Sequence, residues 1–340
     1  VAGGGAGGTG YYGGGGGAGG LRTNLSGHPK AGAAYPVSAS PGAYTITVGG
    51  GGLFSPNVSA RGSNGSNTQF GPPDVSSPEA IVSFGGGGGG SRGPSVRDGN
   101  PGGSGGGACS YPSGGGNGNT PPTSPPQGNP GGACPGSPDY GAGGGGAGDA
   151  GQNGRSPYGN RGGDGVQVAI AGPAPATTGV GALNPTTSQY QWFSGGGGSG
   201  RDNDPSPSYN RGGYGGGGVG SSNPGSQYAE AGTAGSGGGG GGGTNSDGPI
   251  SPLVVGANGG SGCVILRYQI ASVESPGSSP KGATGGAISI YNNKVIHTFT
   301  TSGTFVTPGS FSETCEYFIV AGGGGGGADY YPSARGAGGG

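Results

Sequence analysis

Five aromatic residues, Tyr190, Trp192, Phe193, Tyr209 and Tyr214, stand in two polar stretches, "QYQWFSGG" and "GRDNDPSPSYNRGGYG". Tyrosine and tryptophan combine an apolar ring with a polar tip, which suits stacking on sugar rings. The plainer reading is that such rings cover the ends of a scaffold and satisfy stray backbone groups. Residues for covalent chemistry are scarce. His28 and His297 are the only histidines, and His297 lies within "VIHTFT", where an ordinary structural role is expected. No Cys/His cluster has zinc spacing. Asp202 and Asp204 sit in an Asn/Pro loop and would at most hold a weakly bound calcium, solvated turn residues being the plain alternative. Matches to G-x-G-x-x-G recur throughout the glycine runs, but without the strand–loop–helix setting that a phosphate site requires. No catalytic residue, cofactor or metal is expected.

Cys109, Cys134, Cys263 and Cys315 are disulfide candidates, and four cysteines allow three pairings. Cys109 and Cys134 bracket a loop-rich excursion; Cys263 and Cys315 fall in strand-like segments. The motifs "GNRGGDG" and "YNRGGYGG" look like Arg-Gly-Gly tracts that bind RNA. Only two occur, and 13 Lys plus Arg against 14 Asp plus Glu leave the chain near neutral. Binding driven by phosphates needs positive charge, so a nucleic-acid partner is not expected. No apolar run approaches 18 residues, so membrane insertion is not expected either.

The elements that must position these residues are unusual. Glycine makes up 102 of 340 residues, against roughly 7% in an average chain. Val, Ile, Leu and Phe total 42 (18, 10, 6 and 8), and burying each contributes only about 1.5–3 kcal/mol. Ordering each backbone residue costs about 1–2 kcal/mol, most of all for glycine. Side-chain burial therefore cannot order the whole chain. Near-neutral charge argues against disorder. What remains is order carried by the backbone: extended, three-residue-per-turn helices of the polyproline II kind have no internal hydrogen bonds and direct their amides sideways. Packed together they satisfy one another at about 0.5–1.5 kcal/mol per bond. A strict G-X-Y period is absent, which excludes a collagen triple helix.

Glycine runs such as Gly13–Gly17, Gly85–Gly90, Gly143–Gly146, Gly195–Gly198, Gly237–Gly243 and Gly322–Gly327 alternate with excursions rich in Pro, Asn, Ser and Tyr. Alternation in "AYTITVGG", "AIVSFGG" and "VQVAIAG" predicts short strands. "CVILRYQI", "GTFVTPG" and "CEYFIVAG" predict three more, and "AISIYNNKVIHTFT" predicts a hairpin turning at Asn292-Asn293. The expected fold is irregular and all-β, without α-helix. A bundle of packed polyglycine II helices with loop excursions and short strands occupies 1–261. A small antiparallel β-sandwich occupies 262–320, with a connector at 271–286. Residues 321–340 begin a further glycine-rich repeat: set on Val1–Gly20, Val320–Gly339 matches at 13 of 20 positions without a gap. From the start inside a motif and the lack of Met, a segment of a longer chain is expected.

"HTFTTSGTFVTPGSFSETCEYFIVAGGGGGG", "SPGAYTITVGGGG" and "GGSGCVILRY" resemble the glycine-rich domains of tail-fibre and adhesin proteins of tailed bacteriophages, especially T4-like phages of cyanobacteria. The order here is permuted, because the opening β segment follows the closing strand, and Cys263 and Cys315 replace ordinary strand residues. The resemblance implies a virion structural protein, in a tail fibre or an adhesin at its tip. It would be virion-borne or extracellular, assembled from identical copies end to end, and in contact with a host polysaccharide or outer-membrane protein. The alternative is a cellular extracellular filament or surface adhesin of tandem repeats. The permutation implies that the β segment completing "GCVILRY" comes from the preceding copy, with Cys263 bonded to that copy's Cys315, an intrachain Cys263–Cys315 bridge being the alternative.

Overall fold

A computed structural model describes residues 13–325 apart from 41, 56–58, 72–79, 111, 137–139, 155–159, 174–179, 203–209, 224–227, 245–255, 270–281 and 310. Among these residues there is no helix. The strands are, in order, β1 Leu21–Thr23, β2 Tyr35–Ser38, β3 Ala43–Thr47, β4 Thr68–Gly71, β5 Ile81–Ser83, β6 Val166–Gln167, β7 Ala182–Asn184, β8 Gln189–Phe193, β9 Arg201–Asp202, β10 Ser222–Asn223, β11 Cys263–Gln269, β12 Ala287–Tyr291, β13 Lys294–Phe299, β14 Gly303–Val306 and β15 Ser312–Val320.

Most of these strands form three antiparallel sheets. The largest runs β1-β15-β11-β13-β12, with β2 also on β15; a second runs β14-β3-β4-β5, and a third β6-β8-β7. Successive strand residues point to opposite faces, and β11 and β15 are apolar on both. Val264, Leu266, Tyr268, Tyr317 and Ile319 pack against Tyr44, Ile46, Phe70 and Phe305 of the second sheet. Cys263, Ile265, Phe318 and Val320 face Val168, Ile170 and Phe193 on the other side. The centre of the large sheet, β11 and the end of β15, is thus buried on both faces. The sandwich expected within 262–320 draws β1–β5 from the amino-terminal part of the chain.

The permuted order has a direct structural answer. β15 lies between β1 and β11, with Val320 opposite both Leu21 and Cys263. The partner that the resemblance assigned to a preceding copy is this chain's own carboxyl-terminal strand. The β12–β13 turn is as expected, with Asn292 and Asn293 at φ 48° and 56°, the left-handed values of a two-residue hairpin turn.

Between and beside the sheets, most glycines of the described runs are buried without being in strands. Their amides bond sideways with a period of three. Gly13, Gly16 and Gly19 donate to Gly243, Gly240 and Gly237; Gly14, Gly17 and Gly20 donate to Gly90, Gly87 and Phe84; Gly15 and Ala18 donate to Ala142 and Gly145. The carbonyls of Gly13 and Gly16 accept from Gly200 and Gly197. Those of Gly15 and Ala18 accept from Gly107 and Ser104, and those of Gly17 and Gly20 from Gly324 and Ala321. Three neighbours reached by donation and three by acceptance make six segments around Gly13–Gly20. The run Gly195–Gly200 repeats the pattern, pairing Gly195 and Gly198 with Gly215 and Gly218, Gly196 and Ser199 with Gly163 and Asn160, and Gly197 and Gly200 with Gly16 and Gly13. Such contact leaves no room for side chains: a Cβ on Gly16 would lie 2.2 Å from the Gly324 carbonyl oxygen. Asparagines finish the edges, as where Asn129 Nδ2 donates to the Gly146 and Ala147 carbonyls at 2.9 and 3.1 Å.

Candidate functional site

Four of the five candidate aromatics fall on described residues, and three of these gather in one place. β8 carries Tyr190, Trp192 and Phe193. Within it Gln191 has φ 62°, and its buried amide accepts from the Ala171 N–H at 2.7 Å and donates to the Gly172 carbonyl at 2.8 Å. The pairing of β7 with β8 shifts register here, as a bulge does. Phe193 then enters the core, while Trp192 lies half-buried beside Tyr214, with ring centroids 6.2 Å apart at 67°.

Tyr214 is held from three sides. The Arg211 guanidinium sits 3.7 Å over its ring centroid and that of Arg161 5.8 Å. Its N–H donates to Asp164 Oδ1 at 2.7 Å. Its hydroxyl bonds to Thr186 Oγ1. Asp164 is bound by Arg161 through both carboxylate oxygens at 2.9 Å, and Arg211 approaches to 4.0 Å. Burial, then the neighbouring Arg161, lowers the Arg211 pKa, against the opposing pull of Tyr214 and Asp164. Two guanidinium groups against one carboxylate leave an excess positive charge. With Leu183, Pro185, Tyr190 and Thr233, Arg211 and Tyr214 line a shallow, open depression of about 410 Å³. Stacking on Tyr190 and hydrogen bonds from guanidinium are the interactions it can offer. Among the described residues no group of three or more His, Cys, Asp or Glu is placed to hold a metal ion.

The sequence reading missed Arg161, Asp164 and Arg211, although the signal was present. "NRGGD" and "NRGGY" are the same short motif used twice, each placing its Arg three residues before its Asp or Tyr. Gly162 N–H donates to the Arg211 carbonyl, which brings the two segments together. These arginines clamp Asp164 and Tyr214.

Two expectations are corrected. Phe193 is not a surface contact: it is wholly buried, 4.2 Å from Phe318 by ring centroids. Tyr209 lies outside the described residues. None of the four cysteines forms a disulfide, and all are buried. Cys263 and Cys315 are on opposite faces of the large sheet, and Cys315 is five residues along β15 from the partner of Cys263. At ~3.4 Å per residue this is roughly 17 Å, whereas a bridge needs Cα atoms about 4.4–6.8 Å apart. With β15 covering Cys263, a neighbouring copy's thiol has no access in this arrangement. Burial raises both thiols, Cys315 to about 12. Cys134 Sγ donates to the Tyr140 carbonyl at 2.5 Å, and Cys109 Sγ lies 3.3 Å from Ser110 Oγ.

The pattern of buried, laterally bonded glycine segments agrees with the family comparison. The chain belongs to the glycine-rich domain family, whose match covers residues 1–269. Comparison with curated proteins gave no match, and neither did comparison with solved structures.

Proposed function

We propose that this chain is a structural module of an extracellular attachment fibre, a phage tail fibre or its adhesin, in which polyglycine II helices form a stiff scaffold and the excursions form the contact surface. The observation that carries this reading is the segment Gly13–Gly20, which donates to three neighbours and accepts from three others with a period of three, the repeat of a three-residue-per-turn helix. A scaffold ordered by main-chain bonds leaves the loops free of packing duties, and loops on rigid scaffolds carry recognition. The depression beside Tyr190 and Tyr214 is the proposed contact for a host surface saccharide. Trp192 supports Tyr214 from behind. The match of Val320–Gly339 to Val1–Gly20 supports repetition of the module, with identical copies end to end in a fibre.

Antibodies raised against the purified chain test this by immunogold electron microscopy of the phage and cell fractions of the source. Gold on tail appendages is the expected result. Gold on cell-surface filaments would move the module to a cellular adhesin, and gold confined to the cell interior would overturn the proposal.

A further inference from the structure

Among the described residues, no strand pairs with the outer edge of β12 in the hairpin β12–β13. β12 is the last strand in the order, and all five of its residues are exposed. Edge strands of native proteins are ordinarily blunted by Lys, Pro or a bulge. β12 reads Ala-Ile-Ser-Ile-Tyr and has none of these, and Ile288 and Ile290 are 53% and 68% exposed.

The turn fixes which backbone groups face outward. In a two-residue hairpin the residues flanking the turn, Tyr291 and Lys294, form the closing hydrogen-bonded pair, and pair types then alternate. From the register, Ser289–Ile296 and Ala287–Thr298 are also bonded pairs, whereas Ile288 and Ile290 lie opposite His297 and Val295 in non-bonded positions. The N–H and C=O groups of Ile288 and Ile290 therefore point away from β13, toward the open edge.

We propose that β12 pairs antiparallel with β12 of a second copy of this chain, about a two-fold axis through Ser289. In that register Ile288 faces Ile290 of the second copy, and Ile290 faces its Ile288. Both are positions whose polar groups point outward, so four backbone hydrogen bonds form at once. Registers centred on Ile288 or Ile290 align fewer of these groups. The pairing brings four isoleucine side chains to one face: β12 is uncharged, and Lys294, opposite its Tyr291, is already bound to Glu316 at 2.6 Å. A strand bearing charge lacks this match. The proposal does not depend on the attachment role.

Sedimentation equilibrium of the intact chain, with Ser289→Cys oxidation, tests it. In the symmetric pair the two Ser289 positions face each other without hydrogen bonds, where Cα atoms are ~4.5 Å apart, within reach of a disulfide. The expected results are a concentration-dependent dimer and a covalent dimer of Ser289→Cys under mild oxidation. Ile290→Pro removes an outward donor and no β12–β13 bond, and should weaken association at least tenfold while the thermal unfolding midpoint holds. Ile288→Lys should do the same from the side-chain face. A chain that stays monomeric at high micromolar concentration, or an Ile290→Pro variant that associates as tightly as the parent, would overturn the proposal.

Discussion

The segments Gly13–Gly20 and Cys263–Leu266 are both enclosed, yet opposite forces enclose them. In β11, side chains alternate between two apolar cores and the backbone bonds to two flanking strands. In Gly13–Gly20 the backbone bonds to six neighbours, and the only side chain of its own is the Ala18 methyl, with Ser83 Oγ donating to the Gly20 carbonyl at the end. One is stabilised by apolar area removed from water, at about 25 cal/mol per Å². The other depends on many small hydrogen-bond contributions, and only because nothing projects from the chain can so many neighbours reach it. β11 should therefore tolerate loss of atoms poorly, and Gly13–Gly20 should tolerate their addition poorly.

The sharpest way to break the comparison is to add atoms where backbone lies in the way. Gly16→Val should cost more than about 5 kcal/mol and abolish soluble expression, an effect in the exceptional class, because the obstacle is a carbonyl of a neighbouring segment rather than a side chain that can rotate. Gly136→Ala, with nothing within 4 Å of the new Cβ, should stay within about 0.5 kcal/mol of the parent. Equal unfolding midpoints for the two variants would show that close approach does not govern the bundle.

Next comes removal of atoms from the sheets. Phe318→Ala empties a site against Phe193 and should cost about 3–5 kcal/mol in denaturant titration, through lost transfer energy plus the cavity. Unlike Gly16→Val, it should leave a folded protein whose Gly13–Gly20 amides exchange slowly. If those amides lose protection together with the sheet, the two regions form one cooperative unit.

The same contrast explains what could be read in advance. β11, β15 and the β12–β13 hairpin were legible because alternation and the Asn-Asn turn are local signals. β1 and β2 were not: three and four residues long, they are strands because β15, nearly 300 positions away, lies beside them. β8 was hidden by its bulge, since left-handed Gln191 breaks the alternation that would have marked Phe193 as core. Lateral bonding among the runs was deducible from glycine content, but which run meets which is not encoded in glycine. The pairing is imposed by the excursions and sheets that place the ends.

A smaller effect separates the regions by pH, since the bundle carries few titratable groups and the sandwich has a buried imidazole. His297 Nδ1 donates to the Gly285 carbonyl at 2.7 Å, and Nε2 faces the Tyr268 hydroxyl at 3.3 Å. Burial, partly offset by the Gly285 bond, lowers its pKa from 6.5. The fold thus keeps the imidazole neutral while the unfolded chain takes up a proton. Its contribution is complete above pH 6.5 and is lost as pH falls from 6.5 toward the folded-state value. His28, lowered mainly by burial, adds the same sign. Chemical denaturation between pH 8 and 5 should show stability falling with pH, and His297→Phe should flatten that fall. An unchanged slope would remove His297 as its source.

The smallest expected effect tests whether the aromatic depression belongs to either kind of order. Arg211 rests on the Tyr214 ring, partly in solvent, and its distance from Asp164 is at the limit of an ion pair. A cation–π contact at such a site contributes about 0.5–1 kcal/mol, and a surface ion pair about as little. Arg211→Ala should therefore lower stability by no more than about 1 kcal/mol, while uncovering one face of Tyr214. If binding of a purified surface saccharide falls severalfold at this small cost in stability, Arg211 acts on the ligand. If stability falls by several kcal/mol instead, the two NRGG segments hold the edge of the glycine-rich region together, and the depression is a by-product of how that edge is closed.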